Sequence, residues 1–376
     1  MIRVVEAITD TNIGGAGRLL LNRIKNSTNP EVEYIVILPR GSALVSLLKS
    51  SNIRFYEIDG GYNRSFAIKD IFVFYNAVCF LRPQILNSHG ALSARIAGRL
   101  ARVPVNIYTR HCDFPTSKIF KCKMVRFFVR LLSRLLSDGI IAVSFSAEDN
   151  LLRLGIDKKY IKVIVNGVEK VRMLSSNERN LFKSTLGIEA SKRVISIFAR
   201  LEAYKDHDTF LKAAQCILQR NNYCFLVVGA GSEEGRLKAL ANELNISDCV
   251  LFIGFVEDVA PYMNITDINV NCSIGTETSS LALSEGMSIG IPAIASDYLG
   301  NTYMIREGEN GMIFPQGDYG VLAEKIEQLL SDNKLYNMLS KGAKKRFNNE
   351  LNAKFTAEVT EKYYFDCFMK KQKNTA

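Results

Sequence analysis

Short apolar runs recur along the whole of this sequence, each released into a polar or glycine-bearing loop and then into a stretch with helical spacing. In the first half they are Ile2-Arg-Val-Val-Glu-Ala-Ile, Glu33-Tyr-Ile-Val-Ile-Leu, Ile53-Arg-Phe-Tyr-Glu-Ile, Gln84-Ile-Leu-Asn-Ser-His89, Val103-Pro-Val-Asn-Ile-Tyr, Asp138-Gly-Ile-Ile-Ala-Val and Ile161-Lys-Val-Ile-Val. Arg193-Val-Ile-Ser-Ile-Phe, Tyr223-Cys-Phe-Leu-Val-Val, Val250-Leu-Phe-Ile, Asp267-Ile-Asn-Val-Asn and Ala293-Ile-Ala-Ser repeat the pattern in the second half. Strands that alternate with helices form parallel sheets covered on both faces. At 376 residues the chain exceeds one ordinary core, so two α/β domains are expected.

In such folds ligands sit where strands run out into helices, and the block Asn271 to Asp297 is the densest example. After the strand come Gly275-Thr-Glu277-Thr-Ser-Ser280, rich in loop and helix-capping residues, then helical turns from Leu281 to Met287, which Gly290 and Pro292 stop. Glu277 in the loop and Glu285 in the helix are carboxylates placed to accept hydrogen bonds from the hydroxyls of one extended ligand. Between them the loop amides and the positive end of the helix suit an anion, a diphosphate first of all.

Arg200 and Lys205 bracket a loop before another helix and offer a fork and a point charge to the same anion. The Asp206-His-Asp208 that follows could hold a metal, but it stands at a helix start where aspartate caps amides. Near the N-terminus, Gly14, Gly15 and Gly17 lack the Gly-x-Gly-x-x-Gly spacing of a dinucleotide site. Two of the three histidines, His89 and His111, fall at strand ends.

The block around Glu277 and Glu285 resembles retaining glycosyltransferases of the GT-B fold, the family 4 type with its Glu-x7-Glu signature. The likeness continues through Pro292-Ala-Ile-Ala-Ser-Asp-Tyr-Leu-Gly-Asn301, Glu307-Gly-Glu-Asn-Gly-Met-Ile-Phe-Pro-Gln-Gly-Asp318 and Arg200-Leu-Glu-Ala-Tyr-Lys205. It implies two Rossmann-like domains facing across a cleft. An acceptor-binding domain would span residues 1–170, ending on Asn166-Gly-Val168, and a nucleotide-sugar domain residues 171–354, with the tail 355–376 crossing back to the first.

By the same resemblance Glu277 and Thr278, Ser279, Ser280 and Leu281 would hold the donor sugar, Glu285 the ribose, and Arg200 and Lys205 the diphosphate. The loop at Val256 would meet the base, while His111 with Gly14 and Gly15 would face the reacting carbon and acceptor. The implied reaction moves a sugar from a UDP or GDP sugar to a saccharide or lipid-linked saccharide, as in bacterial surface polysaccharide assembly, with no metal or other cofactor. Three departures stand out: Gly286 where alanine is usual, Asp206 where glycine is usual, and Thr302-Tyr-Met in place of Pro-Glu.

A net charge of +10 favours anionic partners without choosing among them. A nucleic-acid-binding protein would share that charge but leaves Arg200, Lys205, Glu277 and Glu285 unexplained, and a sugar-nucleotide epimerase of similar architecture would need no acceptor. Eight scattered cysteines without a Cys-x-x-Cys pair suit a reducing cytoplasm, where most would be core filler. No run reaches the roughly 20 apolar residues of a membrane span. Lys118 to Ser137 interleaves basic and apolar residues at helical spacing: a helix packed on the sheet with solvated arginines, or one lying on an anionic membrane at the inner face of the cytoplasmic membrane.

Overall fold

The computed structural model describes residues 1–111, 120, 122–218, 222–275 and 279–375. Glu277 and Thr278 lie outside them. The chain divides into two compact units, Met1–Gly167 with Ala353–Ala376, and Val168–Asn352.

The first unit alternates β1 (Ile2–Ile8), α1 (Gly15–Lys25), β2 (Val32–Pro39), α2 (Leu44–Ser50), β3 (Arg54–Ile58), α3 (Ile68–Leu81), β4 (Ile85–His89), α4 (Leu92–Leu100), β5 (Val105–Arg110), α5 (Lys123–Leu136), β6 (Gly139–Ala142), α6 (Phe145–Arg153) and β7 (Ile161–Val163). All strands pair in parallel in the order β3-β2-β1-β4-β5-β6-β7. Val4, Val5, Ala7 and Ile8 of β1 are buried, as a strand covered by helices on both faces must be.

The second unit runs α7 (Ser176–Thr185), β8 (Arg193–Phe198), α8 (His207–Leu218), β9 (Tyr223–Val228), α9 (Glu234–Glu243), β10 (Val250–Gly254), α10 (Ala260–Ile265), β11 (Ile268–Asn271), α11 (Leu281–Ile289), β12 (Ala293–Ser296), α12 (Leu299–Met304), β13 (Gly311–Phe314), α13 (Tyr319–Ser331) and α14 (Asn333–Arg346). Its parallel sheet has the order β10-β9-β8-β11-β12-β13. The chain then returns to the first unit as α15 (Ala353–Thr375), which lies against α1 and β5.

Both sheets reverse strand order once, between β1 and β4 and between β8 and β11. Crevices at the carboxyl ends of strands open at such reversals.

Local chemistry explains the helix ends. The Ser175 hydroxyl and the Glu178 carboxylate form a reciprocal capping box on α7, and Asp318 and Asp332 cap α13 and α14. Gly290 ends α11 at a φ of 87°, a left-handed turn that glycine makes without strain.

Two expectations change. Among the described cysteines Cys79, Cys122 and Cys216 are exposed rather than core filler. The basic helix is the larger departure, because α5 has no buried residue and is turned inside out. Met124, Phe127, Phe128, Leu131, Leu132 and Leu135 are exposed. Its arginines turn inward: Arg130 Nε donates to Gly155 O at 3.0 Å, and both Arg130 and Arg134 pair with Asp157.

Candidate active site

At the carboxyl edge of the second sheet, β8 runs into Ala199, Arg200 and a single 3-10 turn, Ala203–Lys205. Gly229 and Gly231 pack directly on that segment. A Cβ on Gly229 would lie 1.9 Å from Ala199 O, and one on Gly231 2.3 Å from Leu201 O. Leu201 N donates to Ala230 O at 3.1 Å, and Glu233 N to Leu201 O at 3.0 Å. The glycine turn is therefore a staple for the Arg200 loop, the only role its contacts require.

Tyr204 organises the two cations. The Arg200 guanidinium donates to the Tyr204 hydroxyl and stands 5.8 Å from the ring centre, with Lys205 Nζ at 5.5 Å. The aromatic face and hydroxyl offset part of the repulsion between neighbouring positive charges. The loop after β11 closes on the same tyrosine, for Ile274 N donates to Tyr204 O at 2.9 Å. Beneath it, Ser296 Oγ donates to Ser273 O at 2.5 Å and Asn301 Nδ2 to Ser296 Oγ at 2.9 Å, a buried polar frame.

The loop leads into α11, whose N-terminus Ser280 caps by accepting from Leu283 N at 3.3 Å. Leu281 is the first residue of that helix, and Ser279 and Glu285 are half-buried. Val256 follows β10, half-buried, next to the Gly229 turn, whose amide donates to Gly254 O at 2.9 Å. Arg200, Lys205, Val256 and the start of α11 thus share one edge of one sheet.

The two departures beside this edge have physical reasons. Asp206 sits at a φ of 49°, the left-handed region that glycine fills freely and aspartate tolerates. Its carboxylate caps α8, accepting from Thr209 N at 3.3 Å and Thr209 Oγ1 at 2.6 Å. Asp208 pairs bidentately with Arg236, which holds its carboxyl below the usual range. Both carboxylates are thereby committed to partners within the fold, and among the described residues no group of three His, Cys, Asp or Glu side chains is placed to hold a metal ion. At Gly286 a Cβ would meet Asn269 Nδ2 at 2.8 Å, an amide held on Ala282 O, so the buried asparagine takes the room an alanine methyl would need.

The first unit carries Gly14, Gly15 and His111 at the carboxyl edge of its own sheet. Gly14 is the N-cap of α1, which has no side-chain cap, and a Cβ on Gly15 would meet nothing within 4 Å. Gly17 is different, since a Cβ there would meet Leu44 at 2.8 Å, so it serves the packing of α1 on α2.

His111 ends a buried chain of polar groups that sequence reasoning missed. Arg23 pairs with Glu6 Oε1 at 2.5 Å, Glu6 Oε2 meets His89 Nε2 at 2.8 Å, and His89 Nδ1 meets His111 Nε2 at 2.7 Å. Asn87 Nδ2 donates to Glu6 Oε2 at 2.8 Å, and the Tyr364 hydroxyl of α15 donates to Glu6 Oε1 at 2.9 Å. Glu6 is fully buried. Burial alone would raise its pKa, but Arg23 and His89 outweigh it and bring the carboxyl down to about 2. Burial holds His111 well below the usual imidazole range, reinforced by the charge of Arg23. Arg23, His89, Thr109 and His111 line a cavity of about 30 Å³, room for a water molecule.

One signal was available. A carboxylate in the middle of the apolar run that forms β1 has to be paired, because an unpaired buried charge is too costly to keep.

Comparison with known proteins is consistent across both units. Residues 13–172 match the model of glycosyltransferase family 4, and residues 178–346 that of the group 1 glycosyl transferases. The chain is 24% identical over 371 residues to the UDP-Gal:alpha-D-GlcNAc-diphosphoundecaprenol alpha-1,3-galactosyltransferase of Escherichia coli, covering 96% of this chain and 95% of that protein. Among solved structures, a glycosyltransferase of Rickettsia africae superposes with a TM-score of 0.86 at 19% identity, covering 97% of this chain and 98% of that one. Anabaena HepE in complex with UDP-glucose gives 0.80 at 18% identity, covering 97% and 100%.

Proposed function

The chain belongs to the family 4 glycosyltransferases of GT-B architecture, and we propose that it moves a sugar from a UDP or GDP sugar to a saccharide or lipid-linked saccharide hydroxyl with retention of configuration. The observation that carries this is the pairing of Arg200 and Lys205 on Tyr204, beside the loop that feeds α11. Two adjacent cations and a helix start suit a diphosphate, which leaves with negative charge as the glycosidic bond breaks.

In this reading the side-chain cations neutralise the leaving group and no divalent ion is needed. Glu285 binds the ribose, Val256 lies by the base, and Glu277 with Thr278, Ser279, Ser280 and Leu281 holds the donor sugar. Gly14, Gly15 and His111 serve the sugar and acceptor. Retention follows a front-face route, in which the departing phosphate oxygen takes the acceptor proton.

The acceptor reading is supported by α5. Its outward apolar stripe starts beside the exposed Lys123, and we propose that it lies on the anionic inner face of the cytoplasmic membrane, where a lipid-linked acceptor would be anchored. The E. coli relative is named for such a diphosphate-linked lipid. Among the described residues no helix is long and apolar enough to cross a membrane, so contact would be peripheral.

Arg200→Ala and Lys205→Ala, assayed for nucleotide-sugar binding by thermal shift, test the reading. Hydrogen bonds to charged groups contribute about 1.5–3 kcal/mol, so each change is expected to weaken binding by at least about tenfold. Unchanged affinity in both variants would sink it. NMR of the product settles the anomeric outcome, and transfer in the presence of EDTA should continue at the same rate.

A further inference from the structure

We propose that Glu6 and His89 are positioning residues that lock His111 into one tautomer, with its proton on Nε2 and its Nδ1 lone pair presented to a ligand hydroxyl. The inference rests on the reading above, in which this edge of the first sheet meets sugar or acceptor.

The argument follows the protons along the chain. Glu6 is ionised and can only accept, so His89 Nε2, at 2.8 Å, must donate. Arg23 already balances the Glu6 charge at 2.5 Å, and Asn87 and Tyr364 fill the remaining acceptor positions of the carboxylate. A second buried positive charge on His89 would have no counter-ion of its own, so His89 is neutral and its Nδ1 carries a lone pair. His111 Nε2, 2.7 Å away, must then be the donor of that contact.

Neutral His111 is left with a bare Nδ1, which makes no hydrogen bond to a described residue. The depressed basicity of His111 agrees with this state. Glu6, Arg23, Tyr364 and Asp10 are the charged and titratable groups acting on the histidine pair, and all but Asp10 are tied into the network.

The geometry also holds the ring. His89 and His111 lie edge to edge, with centroids 5.0 Å apart and planes 27° from parallel, so the nitrogen–nitrogen contact runs close to both ring planes and fixes the direction of the His111 imidazole. An acceptor nitrogen held in this way accepts the O–H of a neutral sugar and repels a carboxylate. The ligand class is a polyhydroxylated, uncharged ring at this position. Tyr364 belongs to α15, so the helix that returns to the first unit braces the relay from behind.

The chain has only three histidines, so long-range proton–nitrogen NMR of ¹⁵N-labelled protein reads each ring directly. At pH 7.5, His111 and His89 should both carry the proton on Nε2. A His111 ring protonated on Nδ1, or on both nitrogens, overturns the relay, and this wild-type measurement stands even if a variant fails to fold. In His89→Leu, which can neither donate nor accept, verified as folded by thermal melting, His111 should populate both tautomers. Its kcat should fall about tenfold, with KM for the donor changed less, which is the signature of lost positioning. A single unchanged tautomer, or unchanged kcat, in that variant also overturns the relay. If the wild-type tautomer is as stated but His111→Gln transfers sugar at the normal rate, the relay is real and its assignment to a ligand hydroxyl is wrong.

Discussion

The inverted helix α5 makes the most direct demand on experiment. Phe127 and Leu131 keep 58% and 44% of their surface exposed. Complete burial of such a side chain is worth about 1.5–3 kcal/mol, so burying the exposed half in a bilayer interface supplies about 1 kcal/mol from each. Replacing both by serine therefore removes about 2 kcal/mol of membrane affinity, roughly a thirtyfold drop in partition coefficient. Neither side chain is buried in the fold, so thermal stability should hardly move. Sedimentation with vesicles rich in phosphatidylglycerol, against vesicles of phosphatidylcholine alone, measures the partition. Binding should prefer the anionic vesicles and weaken with salt. If the double variant partitions like the wild type, the stripe is not the membrane contact.

Two further outcomes concern the second unit. Gly229→Ala would put a methyl 1.9 Å from Ala199 O at a φ of 147°, so the variant should lose more than about 3 kcal/mol in urea unfolding or fail to accumulate folded, whereas wild-type stability would refute the staple. His207 is buried with neither ring nitrogen hydrogen-bonded, and burial, aided by Lys205, brings its pKa down from 6.5 to about 4. The unfolded chain therefore takes up a proton below pH 6.5 that the folded chain refuses until about pH 4, so stability falls with pH across that window, by about 2 kcal/mol at pH 5. His207→Phe should flatten that part of the curve in melts from pH 7.5 to 5, and an unchanged slope would assign the loss to other groups.

What could be read from the sequence, and what could not, divides along a physical line. Strand and helix alternation depends on neighbours two to four positions away, and so do caps such as Ser175 with Glu178 and stops such as Gly290. These features were legible, and with them the sheets and the edge that holds Arg200 and Lys205. The short helices α10 and α12, six residues each, are too brief to show a helical period. The relay depends on side chains from β1, α1, β4 and α15, which only the finished fold brings together, and its sole local trace is the carboxylate of Glu6 inside an apolar strand. The case of α5 is subtler. Apolar positions at 124, 127, 128, 131, 132 and 135 define a stripe, yet periodicity fixes only the angle between the apolar and basic sides, not which of them faces the sheet. That choice is made by Gly155 and Asp157, which meet the arginines. With Asp157 accepting Arg130 and Arg134, the basic side finds its partners inside the unit, and the apolar side is left to find one outside it.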